Sequence, residues 1–221
     1  IGAFSNPDRK ARFRLGYGKA FGSFGEIVQG RLSNDTDFLV TLPIDLWSTC
    51  ELACTQISGP LVIDCDLEKS RAVLYLVLEE LGVQRGYHIA CNFTRNIPVG
   101  KGLSSSTADM LASLRAIQEV FGFLLDERFV SRIFAAIEPH DALHYNSSAA
   151  YNHRKGQLIQ SFNHIPAYTI IAVDNGGVLD TLQYNQGVAF SEGQIQQYDH
   201  LFARLRHAFE ARDDSMIAQC A

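Results

Sequence analysis

The chain has 221 residues, 47% hydrophobic and 19% charged, with a formal net charge of −5 at pH 7. A chain of this length buries about 70% of its unfolded surface, enough for one domain or two small ones, and its balanced composition excludes disordered, collagenous and coiled-coil classes. The acidic balance gives no reason to expect nucleic acid or an anionic membrane as partner, so a small-molecule ligand is the expectation. The longest apolar runs, Ala72 to Leu78 and Thr169 to Val173, fall far short of a membrane span. The N-terminal residues lack the charged-then-apolar order of a signal peptide. Five cysteines, Cys50, Cys54, Cys65, Cys91 and Cys220, form no CxxC pair, which points to reduced thiols and a cytoplasmic location. Spacing of four on a strand puts Cys50 and Cys54 on one face, where packing is preferred to metal binding.

Phe13 to Ile57 alternates short apolar and β-branched runs with glycines and Asn-Asp clusters, which predicts several strands, among them Phe38–Leu42 and Trp47–Thr55. Leu67, Val73, Leu74, Val77, Leu78 and Leu81 recur at helical spacing before Gly82 and predict an amphipathic helix over 66–81. Tyr87 to Thr94 alternates as a half-buried strand does. A glycine- and serine-rich stretch, Ile97 to Thr107, follows, then helical periodicity through Met110, Leu111, Leu114, Ile117 and Phe121. Asp126 is placed as the N-cap of a further helix reaching Ile137, with Ser131 and Arg132 outward, ending at Glu138-Pro139-His140-Asp141. Ala149–Tyr151, Gln157–Phe162 and Tyr168–Val173 read as strands and Gln194–Arg212 as a last helix. Pro166 marks the boundary expected between a domain over 1–165 and a smaller one over 166–221.

A helix N-terminus offers unpaired N–H groups and the positive end of its dipole, so small residues there let phosphate oxygens approach the main chain. Gly100 and Gly102 clear that approach, Lys101 supplies a point charge, and Ser105 or Ser106 offers a hydroxyl to phosphate or Mg²⁺. The pattern is not GxxxxGK[ST], which argues against a P-loop NTPase. The alternative reading is that Ser104 caps the helix and the glycines only make a turn. His140 and His144, four apart, invite a zinc reading, but Pro139 interrupts the helix and no third ligand is spaced for it, so a structural role is preferred. His153 is placed with Arg154 and Lys155 in a solvated hairpin turn, and Trp47 and Tyr151 in the core or a pocket wall.

Pro98-x-x-x-Gly102-Leu103-x-Ser105-Ser106 resembles the nucleotide loop of the GHMP kinases, with Ser104 standing where most members have glycine. Gly25-Glu26-Ile27-Val28-Gln29-Gly30, then Phe38 to Asp45, then Ser105 to Asp109, then Ile137 to Asp141 are similar to the L-threonine kinases of cobalamin synthesis and propanediol utilisation. Asp174-Asn175-Gly176-Gly177 with Asp180-Thr181 also resembles a segment of that group. The resemblance implies an α+β GHMP kinase fold: an N-terminal domain like ribosomal protein S5 domain 2 and an incomplete ferredoxin-like C-terminal domain, with the active site between them.

It further implies transfer of the ATP γ-phosphoryl group to a small-molecule hydroxyl, L-threonine foremost, with Mg²⁺. A module that binds nucleotide without turnover, or a kinase for another alcohol such as homoserine, are the alternatives. By the same resemblance Pro98, Gly100, Lys101, Gly102, Leu103, Ser104, Ser105, Ser106 and Thr107 cradle the nucleotide, Ser106 and Glu138 hold the metal, and Asp141 and Lys101 are catalytic. Glu26, Ser23 and Asp45 are the candidates for the acceptor. Ser23, Gln29 and Asp45 either contact an amino acid or satisfy turn backbone. Phe21-Gly22-Ser23 departs from the threonine-kinase pattern, and Lys19 is the only basic residue nearby. A third glycine-rich motif of the family is absent, so the sequence suggests a shortened chain, a degenerate domain, or a homodimer that covers the exposed sheet edge.

Overall fold

The computed structural model describes residues 13–174, 176–177 and 190–221. Two long antiparallel strands, β1 (Phe13–Arg31) and β2 (Asp37–Pro60), form its spine. The hairpin turns at Asn34-Asp35, where Asp35 takes a left-handed φ of 59° and the Asn34 side chain accepts from the Thr36 N–H at 3.1 Å. The predicted Phe38–Leu42 and Trp47–Thr55 strands are therefore one continuous strand. The other edge of β2 is divided. Its C-terminal half pairs with β4 (Arg85–Arg95), and its start pairs with β5 (Ala149–Asn152) through Leu39–Tyr151 and Val40–Ala150. Short β3 (Val62–Asp64) lies parallel to β4, with α1 (Glu68–Glu80) as the crossover between them, and β6 (Gln157–Ser161) closes the sheet beside β5.

One core lies between the C-terminal half of the sheet and three helices: α1, α2 (Ser105–Phe121) and α3 (Glu127–Ala135). Val73, Leu74, Val77 and Leu78 of α1 are fully buried, as the helical spacing requires. Helix α2 is the centre of this layer. It buries Met110, Leu111, Leu114 and Ile117, each contributing about 1.5–3 kcal/mol by removal from water. Its Asp109 is buried and accepts from Ser48 Oγ at 2.5 Å and Arg95 at 2.9 Å, fastening the helix to β2 and β4. Gly18 lets β1 lie against α2, because a Cβ there would run into the Ala112 carbonyl oxygen. Asp126 caps α3 by accepting from the Phe129 N–H at 2.8 Å. Ser131, expected outward, is buried instead, because its hydroxyl is needed by His144 and Tyr151.

A second core lies on the start of β2. Phe38, Val40, Val28 and Ala150 pack against Phe202, Leu205, Ala208 and Phe209 of α4 (Glu192–Ala211), which begins with a Ser191–Gln194 capping box. A short helix, α5 (Asp214–Ala218), follows. The strand expected over Tyr168–Val173 does not form: the segment runs without regular structure, Ile171 and Val173 stay exposed, and Tyr168 donates instead to the Asp214 carbonyl oxygen at 2.5 Å. Asn175, Asp180 and Thr181 of the Asp174–Thr181 segment lie outside the described residues. Among the described residues no helix is long and apolar enough to cross a membrane, and all five cysteines are free thiols.

Candidate active site

Strand β1 changes register against β2 at three consecutive points, between Phe21 and Ser23, Ser23 and Glu26, and Glu26 and Val28. Such bulges bend a strand and re-aim its side chains, and here they face the N-terminus of α2. The loop before α2 is tied to the bulged stretch by Ser23 N–H to Leu103 O at 3.3 Å and Gly25 N–H to Gly102 O at 3.2 Å. Gly100 and Gly102 both take a φ of 69°, open to glycine at no steric cost, and Ser104 follows at 54°.

These elements form one wall of a cavity of about 1250 Å³, larger than the ~300–1,000 Å³ usual for one small ligand and roomy enough for two substrates side by side. Opposite the loop stand Glu138 to Asp141, the segment that leaves α3. The β5–β6 turn with His153 and Arg154 forms a further side, and the remainder is made by 167–170 and the C-terminal Ile217, Ala218 and Ala221.

Within the cavity the polar groups interlock. Ser106 Oγ donates to Glu138 Oε1 at 3.0 Å, and Glu138, though buried, is also ion-paired with Lys69 of α1. Ser104, at the N-cap position, makes no capping bond. Its hydroxyl donates to Asp141 and receives a hydrogen bond from Ser23, so the capping reading of Ser104 gives way to a role in holding Asp141. Lys101 Nζ reaches Asp174 Oδ1 at 2.8 Å and the Gly177 carbonyl at 2.7 Å.

Burial pushes the Asp141 carboxyl above the usual carboxylate range, the Ser104 hydrogen bond opposes this, and the Glu138 charge adds to it. Glu26, aimed into the cavity by the bulges, is raised to about 7 by its desolvated surroundings and then by the charge of Asp141. Two carboxyls of raised proton affinity in one cleft, one of them raised further by the charge of the other, mark a place where protons or cations are handled.

The sequence-predicted residues sort clearly by position. Gly100 to Thr107, Glu26, Glu138 and Asp141 line the one cavity. Ser23 is fully buried behind its wall. Pro98 and Asp45 are exposed outside it, and Asp45 accepts from the Trp47 indole N–H at 2.5 Å rather than facing a ligand. Lys19 is likewise outside, its ammonium 3.9 Å over the Trp47 ring. His153, expected in a solvated turn, is buried.

His140 is also buried. Its Nδ1 lies 3.3 Å from the Glu138 carbonyl and its Nε2 is 2.7 Å from the Tyr151 hydroxyl, which also bonds Ser131. Two residues escape the sequence pattern altogether. Lys69 reads there as part of the outward face of α1, and His153 as a surface turn. Nothing in local spacing signals that tertiary contacts turn both into cavity wall.

The donor set suits magnesium. Ser106 Oγ and Glu138 Oε1 are adjacent hard oxygens beside a helix N-terminus, and the Lys69 ammonium shows that Glu138 is poised to neutralise a cation. Among the described residues no group of three His, Cys, Asp or Glu side chains forms an all-protein metal cage. His140 meets the Tyr151 hydroxyl and His144 the Ser131 hydroxyl, and the two rings pack 6.0 Å apart.

A bulged strand, a glycine-serine loop opening a buried helix, and a carboxylate segment across from it belong to a fold that this chain shares with mevalonate and homoserine kinases of known structure. The family model of the GHMP kinases N terminal domain matches residues 68–151. It is 25% identical over 164 residues to the L-threonine kinase of Salmonella typhimurium, covering 74% of this chain and 53% of that one. It is also 24% identical over 197 residues to the L-threonine kinase of Citrobacter freundii, covering 89% and 65%. The chain thus spans between half and two thirds of these relatives' length. Among solved structures, L. major mevalonate kinase in complex with R-mevalonate superposes with a TM-score of 0.56 at 19% identity, covering 98% of this chain and 75% of that chain.

Proposed function

We propose that this chain transfers the γ-phosphoryl group of ATP to the hydroxyl of a small molecule, with L-threonine the acceptor. One observation carries the reading: the α2 N-terminal loop, the Ser106–Glu138 oxygen pair and Asp141 converge on one cavity with room for nucleotide and acceptor together. The similarity to two L-threonine kinases supports the acceptor.

In this mechanism the N–H groups at the start of α2 and the Lys101 ammonium bind the phosphates. Lys101 must exchange Asp174 for the nucleotide to do so. Ser106 and Glu138 would hold magnesium, which would supply charge neutralisation on the phosphate oxygens. Asp141 accepts the hydrogen bond of the acceptor hydroxyl, orients its oxygen toward the γ-phosphorus, and takes the proton as the new P–O bond forms and the bond to the β-phosphate oxygen breaks. Its raised proton affinity suits that task, and the Ser104 bond fixes its direction. Positioning contributes more than basicity, since phosphoryl transfer proceeds through a loose transition state.

The test is formation of O-phosphothreonine from ATP, Mg²⁺ and L-threonine by the purified chain, beside serine, homoserine and mevalonate. Threonine product above the others is the expected result. Product from another alcohol alone overturns the acceptor, and saturable MgATP binding with no product from any acceptor overturns the kinase reading.

A further inference from the structure

His153 is 5% exposed, lines the cavity, and neither of its ring nitrogens has a hydrogen-bond partner among the described residues. A buried polar group is rarely left so, because water's hydrogen bonds are lost and nothing replaces them. His140, only thirteen positions earlier and equally buried, has both nitrogens engaged, by the Glu138 carbonyl and the Tyr151 hydroxyl. The fold can therefore satisfy an imidazole in this neighbourhood, and at His153 it does not.

Burial, and then the neighbouring Arg154, lower the proton affinity of His153, so the ring is neutral and presents one N–H donor and one acceptor. Arg154 lines the same wall, its guanidinium 3.2 Å from Asp37. The other charged groups of the lining are the carboxyls Glu26, Asp141 and Glu138 and two lysines that already hold carboxylates, Lys69 on Glu138 and Lys101 on Asp174. An anionic group meets those carboxyls at one side and, at the hairpin, an imidazole with no bond of its own among the described residues.

We infer that His153 is the specificity-determining residue of the acceptor subsite, donating a ring N–H to a carboxylate of a hydroxy acid whose hydroxyl lies at Asp141, with Arg154 beside it. The inference rests on the kinase reading for the position of the hydroxyl, and it assigns the residue that distinguishes hydroxy acids from plain alcohols. One hydrogen bond to a carboxylate suffices for about a tenfold preference.

The test is nitrogen-15 NMR of the His153 ring in the intact protein, titrated with two matched pairs: L-lactate against propane-1,2-diol, and L-threonine against L-threoninol. The His153→Gln variant is titrated in parallel. The carboxylates are expected to shift the His153 ring nitrogens saturably and their neutral or cationic counterparts not to. His153→Gln is expected to weaken L-threonine binding about tenfold while leaving L-threoninol and MgATP affinity unchanged. Ring nitrogens that ignore both carboxylates, or respond equally to both members of a pair, overturn the inference. The wild-type titration decides it even if the variant does not fold. Phosphoryl transfer measured on the same samples separates the two claims: carboxylate binding at His153 without transfer to any acceptor sinks the kinase reading alone, and transfer to threonine with unmoved ring nitrogens sinks this inference alone.

Discussion

The two ends of the cavity differ in how their polar groups stand before a ligand arrives. At the α2 end Ser106 is bonded to Glu138, Glu138 to Lys69, Ser104 to Asp141, and Lys101 to Asp174 and Gly177. At the hairpin end His153 is buried with no partner among the described residues. A nucleotide at the first end must exchange existing pairs for new ones, so its affinity is a difference between similar energies, and truncations there cost less in binding than the number of contacts suggests. A ligand at the second end relieves an uncompensated burial and gains the whole hydrogen bond. On the proposed reading, the α2 end keeps its charges neutralised until nucleotide arrives, while the hairpin end selects among acceptors.

That contrast is broken most directly at Asp141, held at the α2 end by Ser104. Asp141→Asn keeps the shape and an acceptor oxygen for Ser104 but removes the proton acceptor, so kcat is expected to fall by about 10²–10⁴ with MgATP affinity nearly unchanged. Steady-state kinetics with L-threonine and nucleotide titration of the variant check both halves, and an unchanged kcat removes Asp141 from the chemistry. Next in size, Ser106→Ala deletes the oxygen proposed to hold the metal and one bond to Glu138. KM for MgATP should rise about tenfold while the melting midpoint moves by no more than about 2 °C, since Ser106 is only half-buried at the cavity wall. Parallel loss of stability and activity would instead make the Ser106–Glu138 bond a structural tie between α2 and the α3 exit.

How much of this was legible beforehand follows the same division. Helix α1, helix α2 and the Asp126 cap announce themselves by apolar spacing and residue type, because the forces that form them act within a few residues. The glycine-serine loop was legible for the same reason, since its turn is set by Gly100 and Gly102 in left-handed backbone just before a helix start. The hairpin end was not. Phe38 to Leu42 and Trp47 to Thr55 read as separate strands because nothing local reveals that the chain stays extended through Pro43 to Leu46, where its ladder with β1 shifts register. Tyr168 to Val173 has strand composition, yet its Tyr168 is captured by α5. His153 sits in a sequence of turn-forming polar residues, and only the packing of β5 against β2 turns it inward. Lys69 likewise acquires its role from Glu138, a partner 69 positions away.

A smaller effect sharpens the comparison through pH. Glu26 moves from an ordinary glutamate value of 4.5 to about 7 on folding. Between those values the native chain binds more protons than the unfolded one, so the stability of the ligand-free protein falls as pH rises through this window. His140 works in the opposite sense: burial lowers it from 6.5 to about 4, the unfolded chain then binds more protons between these values, and stability rises with pH there. Melting midpoints across pH 4 to 8 should therefore change little between 4.5 and 6.5, where the two slopes oppose each other, and fall along a descending limb from 6.5 to about 7; Glu26→Gln should remove that limb and turn the plateau below it into a rise. A limb unchanged by that substitution would show that Glu26 is hydrated in solution and carries an ordinary proton affinity.

The smallest effect tests whether partner exchange governs the α2 end. Lys101 is held by Asp174, which is 61% exposed, and exposed ion pairs contribute no more than about 1 kcal/mol. Asp174→Ala removes the competitor without touching the loop, so Lys101 is freer to meet phosphate and MgATP should bind about two- to threefold more tightly. Isothermal titration of wild type and variant at low and high salt measures it, and the gain should shrink as salt screens the original pair. Weaker binding in the variant would mean that Asp174 and the Gly177 carbonyl steer Lys101 onto the nucleotide. The pairs at this end would then be an alignment device, and the affinity lost by truncating Ser106 would have to be reread as lost alignment too.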